Sequence, residues 1–117
     1  MAAKSPHKGT RGEVEALQLL RSMGYTCTRR ARYTKGHDLT LANMLAVEVK
    51  RTRKITPALL RQWWSQATRQ AESAGMVPLL VFRQDRGRWC ALLDDGGRIM
   101  NADELRARLT EIIPPPI

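Results

Sequence analysis

Aromatic residues are scarce in this chain of 117 residues: three tryptophans, two tyrosines and a single phenylalanine. A core built from it must rest on leucine, valine and alanine instead. Cysteine is nearly absent as well. Cys27 and Cys90 stand alone, in no CxxC or Cys/His zinc spacing, which argues against a disulfide framework or a zinc site and leaves two buried free thiols as the expectation. No apolar run approaches the ~18 residues of a membrane span, and the opening Met1-Ala2-Ala3-Lys4-Ser5-Pro6 has no apolar signal core, so a cytoplasmic protein with no membrane partner is expected. Acidic residues are the remaining shortage, at 11 Asp+Glu against 20 Lys+Arg and a formal net charge of +9.

The excess of positive charge is lopsided. Residues 1–54 hold 12 basic and 4 acidic side chains, and residues 55–117 hold 8 and 7. Such a field suits a polyanion, because neutralising phosphates releases counterions from nucleic acid. Charge by itself does not separate an enzyme from a passive binder or from a basic solubilising face.

The length is that of one domain. Residues 1–8, with Lys4, Pro6 and Lys8, read as a flexible basic tail; residues 9–113 form the domain, and 114–117 a proline-rich end. Thr10-Arg11-Gly12-Glu13 has the form of a capping box, and Val14, Ala16, Leu17, Leu20 and Met23 give the apolar stripe of a helix that stops at Gly24. Tyr25 to Thr28 begins a β-prone run that leads into Arg29, Arg30, Arg32 and Tyr33. After a turn at Lys35-Gly36, Asp38-Leu39-Thr40-Leu41 and Met44 to Lys50 read as the two strands of an antiparallel hairpin.

Thr56-Pro57 opens a second helix that ends at Gly75. Val77 to Phe82 is a buried strand, Arg88 to Leu93 another, and Asp94-Asp95-Gly96-Gly97 a loop. Asn101-Ala102-Asp103-Glu104 caps a last helix. The order α-β-β-β-α-β-β-α describes an α/β domain, a mixed central sheet flanked by helices.

The hairpin carries the chemistry. Side chains alternate along a strand, so Leu45, Val47 and Val49 take one face, while Ala46, Glu48 and Lys50 take the other. The hairpin brings the Asp38 carboxylate beside that of Glu48. Two adjacent carboxylates repel unless a cation lies between them, and a hard divalent ion with oxygen ligands fills that role. Lys50, on the same face, is placed to hold a phosphate oxygen or a water. The bland alternatives are a turn aspartate and a plain Glu48–Lys50 ion pair on an exposed strand.

Asp38 followed by nine residues and then Glu48-Val49-Lys50 resembles the signature of the PD-(D/E)xK nucleases. Lys8-Gly9 with Glu13, Gly24-Tyr25, and Gly36-His37-Asp38 resemble its Holliday junction resolvase branch of phage or prokaryotic type, over roughly residues 8 to 93. The resemblance implies a restriction-endonuclease-like fold and a metal-dependent endonuclease, selective for DNA structure. Asp38, Glu48 and the backbone carbonyl of Val49 would hold Mg²⁺ or Mn²⁺, and Glu13 would reach the same ion directly or through water. Lys50 would position the hydrolytic water and stabilise the transition state. A glutamine of the second helix would touch the site, Gln66 by preference, with Gln62 an equal geometric candidate.

The usual proline before the aspartate is His37 here, and Tyr33-Thr34 occupies the stretch where resolvases often carry a serine. Lys8, Arg11, Arg29, Arg30, Arg32, Lys35, Arg51, Arg53 and Lys54 flank the site in sequence and are expected to contact phosphates. Glu15, two positions from Glu13, should face elsewhere and be solvated. One of Trp63 and Trp64 should pack in the core and the other lie at a dimer interface. The implied partner is branched or four-way-junction DNA. Symmetric cutting of a junction needs two active sites, hence a homodimer, in the cytoplasm of a bacterial, archaeal or phage-infected host cell. Alternatives are a nicking or restriction-like nuclease of the same fold, a non-catalytic nucleic-acid-binding protein, or a basic interaction protein without DNA.

Overall fold

Apolar alternation in the middle of the chain builds a hairpin, and the remaining elements pack around it. The computed structural model describes residues 6–31, 34–93 and 97–114. Within them, α1 is Pro6–Ser22, β1 Cys27–Arg29, β2 Leu39–Leu41, β3 Leu45–Thr52, α2 Pro57–Ala74, β4 Val77–Gln84, β5 Cys90–Leu93, β6 Met100–Asn101 and α3 Ala102–Ile112. The six strands form one sheet in chain order. Only β3 and β4 run parallel, Val47 opposite Leu79 and Lys50 opposite Phe82, and α2 makes the crossover between them.

The hairpin turn is Ala42-Asn43, both at positive φ (53° and 54°). This is the type I′ geometry that matches the twist of two antiparallel strands. Its register sets Leu39 opposite Val47. Pro78 sits near the start of β4, where its missing N–H does no harm. Val77 donates to Met44 on the β3 side, so residue 78 faces the other side, and β5 begins pairing only at Leu79.

Apolar side chains on the two faces form two clusters. Leu17 and Leu20 of α1 and Leu105 and Leu109 of α3 pack with Leu45, Val47, Val49, Leu79 and Val81 on one face. Trp63 and Ala67 of α2 pack with Leu80, Phe82 and Leu92 on the other. Trp63 is the core tryptophan, its ring 6.3 Å from that of Phe82. Leu20 is wholly buried. Leu20→Ala is expected to cost about 2–5 kcal/mol. The measurement is urea unfolding, with a lower midpoint at an unchanged slope.

The second and third helices start as expected. Thr56 accepts from the Leu59 amide with Pro57 at the first helical position, and Gly75 closes α2 in the left-handed conformation. Asn101 and Glu104 form a reciprocal capping box on α3. The first helix does not. It begins at Pro6, so Thr10 lies inside it and makes no cap. A proline suits the first helical turn, where its lacking N–H has no partner to lose.

The strand β6 was not expected: two residues, Met100 and Asn101, pair with Ala91 and Cys90. Cys27 and Cys90 are free thiols, and burial pushes the first up to about 11. No helix among the described residues is long and apolar enough to cross a membrane.

Candidate active site

At Asp38 the hairpin stops being an ordinary ladder. The Asp38 amide donates to the Val47 carbonyl (3.0 Å), and its own carbonyl accepts from Arg30, extending the β1–β2 pairing by one residue. The Asp38 side chain then takes over from the backbone. Its Oδ2 accepts the Val49 N–H at 2.8 Å, in a buried bond. The carboxylate therefore ends the strand pairing and is held in place by it. A residue in an extended strand turns its N–H and C=O to the same side. The Val49 carbonyl accordingly faces Asp38, beyond the last paired residue of β2.

Glu48 faces α2, opposite Leu80, and is 3% exposed. Its Oε2 lies 3.6 Å from the Lys50 ammonium. Its Oε1 is buried without a hydrogen-bond partner among the described residues. Burial and then the neighbouring Asp38 charge push the Glu48 carboxyl up to about 7, against the pull of Lys50. Asp38 is raised too, chiefly by burial, although the Val49 amide holds it down. Two buried carboxyl groups whose ionisation is disfavoured, one of them with an oxygen unpartnered among the described residues, form an oxygen-donor site that suits a divalent cation.

The surrounding cavity, about 660 Å³, is lined by Glu13, Arg30, Thr34, Lys35, Asp38, Glu48, Val49, Lys50, Arg51, Gln66 and Gln70, with Gly36 at the loop. It thus gathers all five residues expected to act in catalysis. Gln66 lines it, whereas Gln62 lies on the exposed side of α2.

Glu13 lines the cavity but binds Arg29, 2.9 Å away. Among the described residues no group of three or more His, Cys, Asp or Glu side chains is arranged to hold a metal ion. The donors that do converge are Asp38 and Glu48, with the Val49 carbonyl beside them. Gln70, one turn beyond Gln66, was missed; its Oε1 is buried and unpartnered among the described residues. The i, i+4 spacing of the two glutamines was the available signal.

The expected phosphate contacts divide into three groups. Arg29 and Arg30 are turned toward acids: Arg29 to Glu13, and Arg30 to Asp38 at 3.7 Å, while Arg30 also donates to the Thr34 carbonyl. Arg51 is anchored in the fold rather than offered to solvent. It contacts Glu15 and Asp85, each at 3.4 Å, and Glu15 also meets Arg83. Glu15 is therefore no solvated bystander; it ties α1 to the ends of β3 and β4. Arg11, Lys35, Arg53 and Lys54 are exposed. Arg32 lies outside the described residues, as does the Lys8 side chain, although Lys8 itself belongs to α1.

His37 bonds Thr40 through Nε2 (2.7 Å), and burial, then Arg30, lowers its pKa, so it is neutral near pH 7.

A six-stranded mixed sheet between helices, with an aspartate and an E-x-K on adjoining strands, is the restriction-endonuclease-like arrangement of a nuclease. The chain belongs to the family described as "Phage putative PDDEXK endonuclease", whose model matches residues 4–112. It is similar to Protein D14 of Escherichia phage T5, with 37% identity over 49 residues. That stretch is 42% of this chain and only 29% of the phage protein. In fold it is similar to Hjc, a Holliday junction resolvase from the archaeal hyperthermophile Archaeoglobus fulgidus. There the TM-score is 0.52 at 20% identity, covering 86% of this chain and 93% of the other.

Proposed function

We propose that this protein is a divalent-metal-dependent, structure-selective DNA endonuclease, a resolvase of four-way junctions that works as a homodimer in the cytoplasm of a bacterial or phage-infected cell. The observation that carries the reading is the buried Asp38–Glu48 pair with Lys50 on the same strand face. A buried pair of hard oxygen donors, one oxygen of it unpartnered among the described residues, fits Mg²⁺ or Mn²⁺ held by Asp38, Glu48 and the Val49 carbonyl. Bound there, the ion would polarise the scissile phosphate and lower the pKa of a water.

The chain's own groups do the rest. The Val49 amide fixes one oxygen of Asp38, so the other is presented in one orientation. Lys50 places an ammonium where charge builds on the phosphate. Gln66 and Gln70 supply neutral donors and acceptors on the wall opposite the strands. Glu13 is close enough to raise the Asp38 pKa, and Arg29 keeps its charge balanced.

The homodimer is supported by a largely apolar groove where the start of α2 meets β5 and the segment before β6, lined by Pro57, Leu60, Trp64, Leu92 and Ile99 with Arg61. Ile99 is 48% exposed there.

The test is cleavage of labelled junction, flap, nicked and linear DNA with Mg²⁺ and with EDTA. Paired, symmetric cuts in the junction alone are expected, abolished by EDTA. Lys50→Ala should lower the cleavage rate by about 10²–10³-fold with DNA affinity little changed. Equal cutting of linear duplex would leave a nuclease but sink the junction assignment. Intact DNA in every lane would sink both.

A further inference from the structure

Next to the active-site cavity lies a second hollow of about 480 Å³, walled by Lys35, Gly36 and His37 of the loop before β2 and by Arg69, Gln70 and Ser73 of α2. The two hollows share Lys35, Gly36 and Gln70, so they are continuous. Their electrostatics differ. In the first, every cation but the shared Lys35 is matched by an acid: Arg30 by Asp38, Lys50 by Glu48, Arg51 by Glu15 and Asp85. The second has no carboxylate in its wall. Lys35 and Arg69 are exposed and have no acidic partner among the described residues.

A concave site with two unpaired cations and two neutral polar side chains is suited to one tetrahedral anion. Its position identifies which one. Along α2, Gln66 to Ser73 spans about 10 Å at ~1.5 Å per residue, or about three base-pair steps of one DNA strand.

We propose that this hollow is a phosphate subsite for the strand being cut, with Arg69 and Lys35 holding a backbone phosphate two to three nucleotides from the scissile one. The subsite rests on the nuclease reading. It adds a residue, Arg69, that nothing in the signature of the active site points to. Its task is positioning: clamping the strand beyond the cavity fixes which phosphodiester lies against Asp38 and Glu48.

The experiment is titration of fluorescently labelled junction DNA in EDTA, where nothing is cut, across a series of salt concentrations. Arg69→Ala and Lys35→Ala are each expected to weaken binding about five- to tenfold at low salt and to reduce the slope of log affinity against log salt by about one. Arg69→Lys should recover most of the affinity, and Arg106→Ala on α3 should change nothing. In a second arm, one methylphosphonate replaces the phosphate two or three nucleotides from the cut. Wild type should lose affinity on that DNA, and Arg69→Ala should lose no more. Wild-type affinity and slope in Arg69→Ala, in a protein that still cuts DNA, would overturn the subsite alone. A wild-type protein that neither binds nor cuts DNA would overturn the nuclease reading together with it.

Discussion

Glu48→Gln is expected to abolish cleavage, a loss of at least about 10³-fold, and at the same time to make the protein more stable at pH 8. The two effects share a cause. Glu48 is buried beside Asp38, has one oxygen without a partner among the described residues, and keeps its proton to about 7. Its unfolded counterpart loses the proton near 4.5. Between those values the folded state binds more protons than the unfolded one, so stability falls as pH rises through that window and levels off above it. The full drop is of the order of 3 kcal/mol. Asp38, raised in the same direction, adds to it.

A glutamine at 48 never ionises. Urea midpoints measured at pH 5 and pH 8 should therefore lie closer together in Glu48→Gln than in wild type. Mn²⁺ should raise the wild-type midpoint at pH 8 far more than at pH 5, where protons compete for the same oxygens. A variant with the wild-type pH profile would show that Glu48 is not the strained group.

Asp38 differs from Glu48 in that its side chain also holds a backbone amide. Both Asp38→Ala and Asp38→Asn are expected to remove cleavage, because each takes a formal charge from the ligand pair. Only alanine also strands the buried Val49 N–H, which Asp38 Oδ2 accepts at 2.8 Å. An unsatisfied buried amide costs about 1–3 kcal/mol. The asparagine oxygen can still accept that hydrogen, so Asp38→Asn should unfold near the wild-type midpoint and Asp38→Ala well below it. Hydrogen exchange at the Val49 amide gives a local reading: fast in the alanine variant, protected in the other two. Equal protection in all three would mean that the carboxylate does not hold the end of the strand.

The hairpin was legible because its information is local. Alternation over Leu45 to Lys50 fixes which side chains share a face, and Asp38 comes within reach through a two-residue turn. The caps of α2 and α3 were legible for the same reason: Thr56-Pro57 and Asn101 to Glu104 hold the whole device within four residues. The start of α1 misled. Thr10 to Glu13 has the spacing of a capping box, but the helix had already begun at Pro6, and Glu13 bonds Arg29 of β1.

What remained hidden depends on distant packing. Glu15 reads as a solvated charge and Arg51 as a phosphate contact until α1 docks and places Glu15 between Arg51 and Arg83. No pattern near Gln70 shows that its amide oxygen will be buried. The two-residue β6 has no periodicity to detect, and it exists because β5 offers it an edge.

Surface turns are where proteins ordinarily absorb length changes. The bend at Ala42-Asn43 lacks that freedom. Sliding β3 by one position against β2 would exchange its faces. Glu48 and Lys50 would then be driven among Leu20, Leu105 and Leu109, and Val47 and Val49 would replace them beside the two glutamines. The length of this small outer bend is thus as constrained as any buried side chain. Among natural variants of the domain, insertions should gather elsewhere, at the joins around α2 and between β5 and β6.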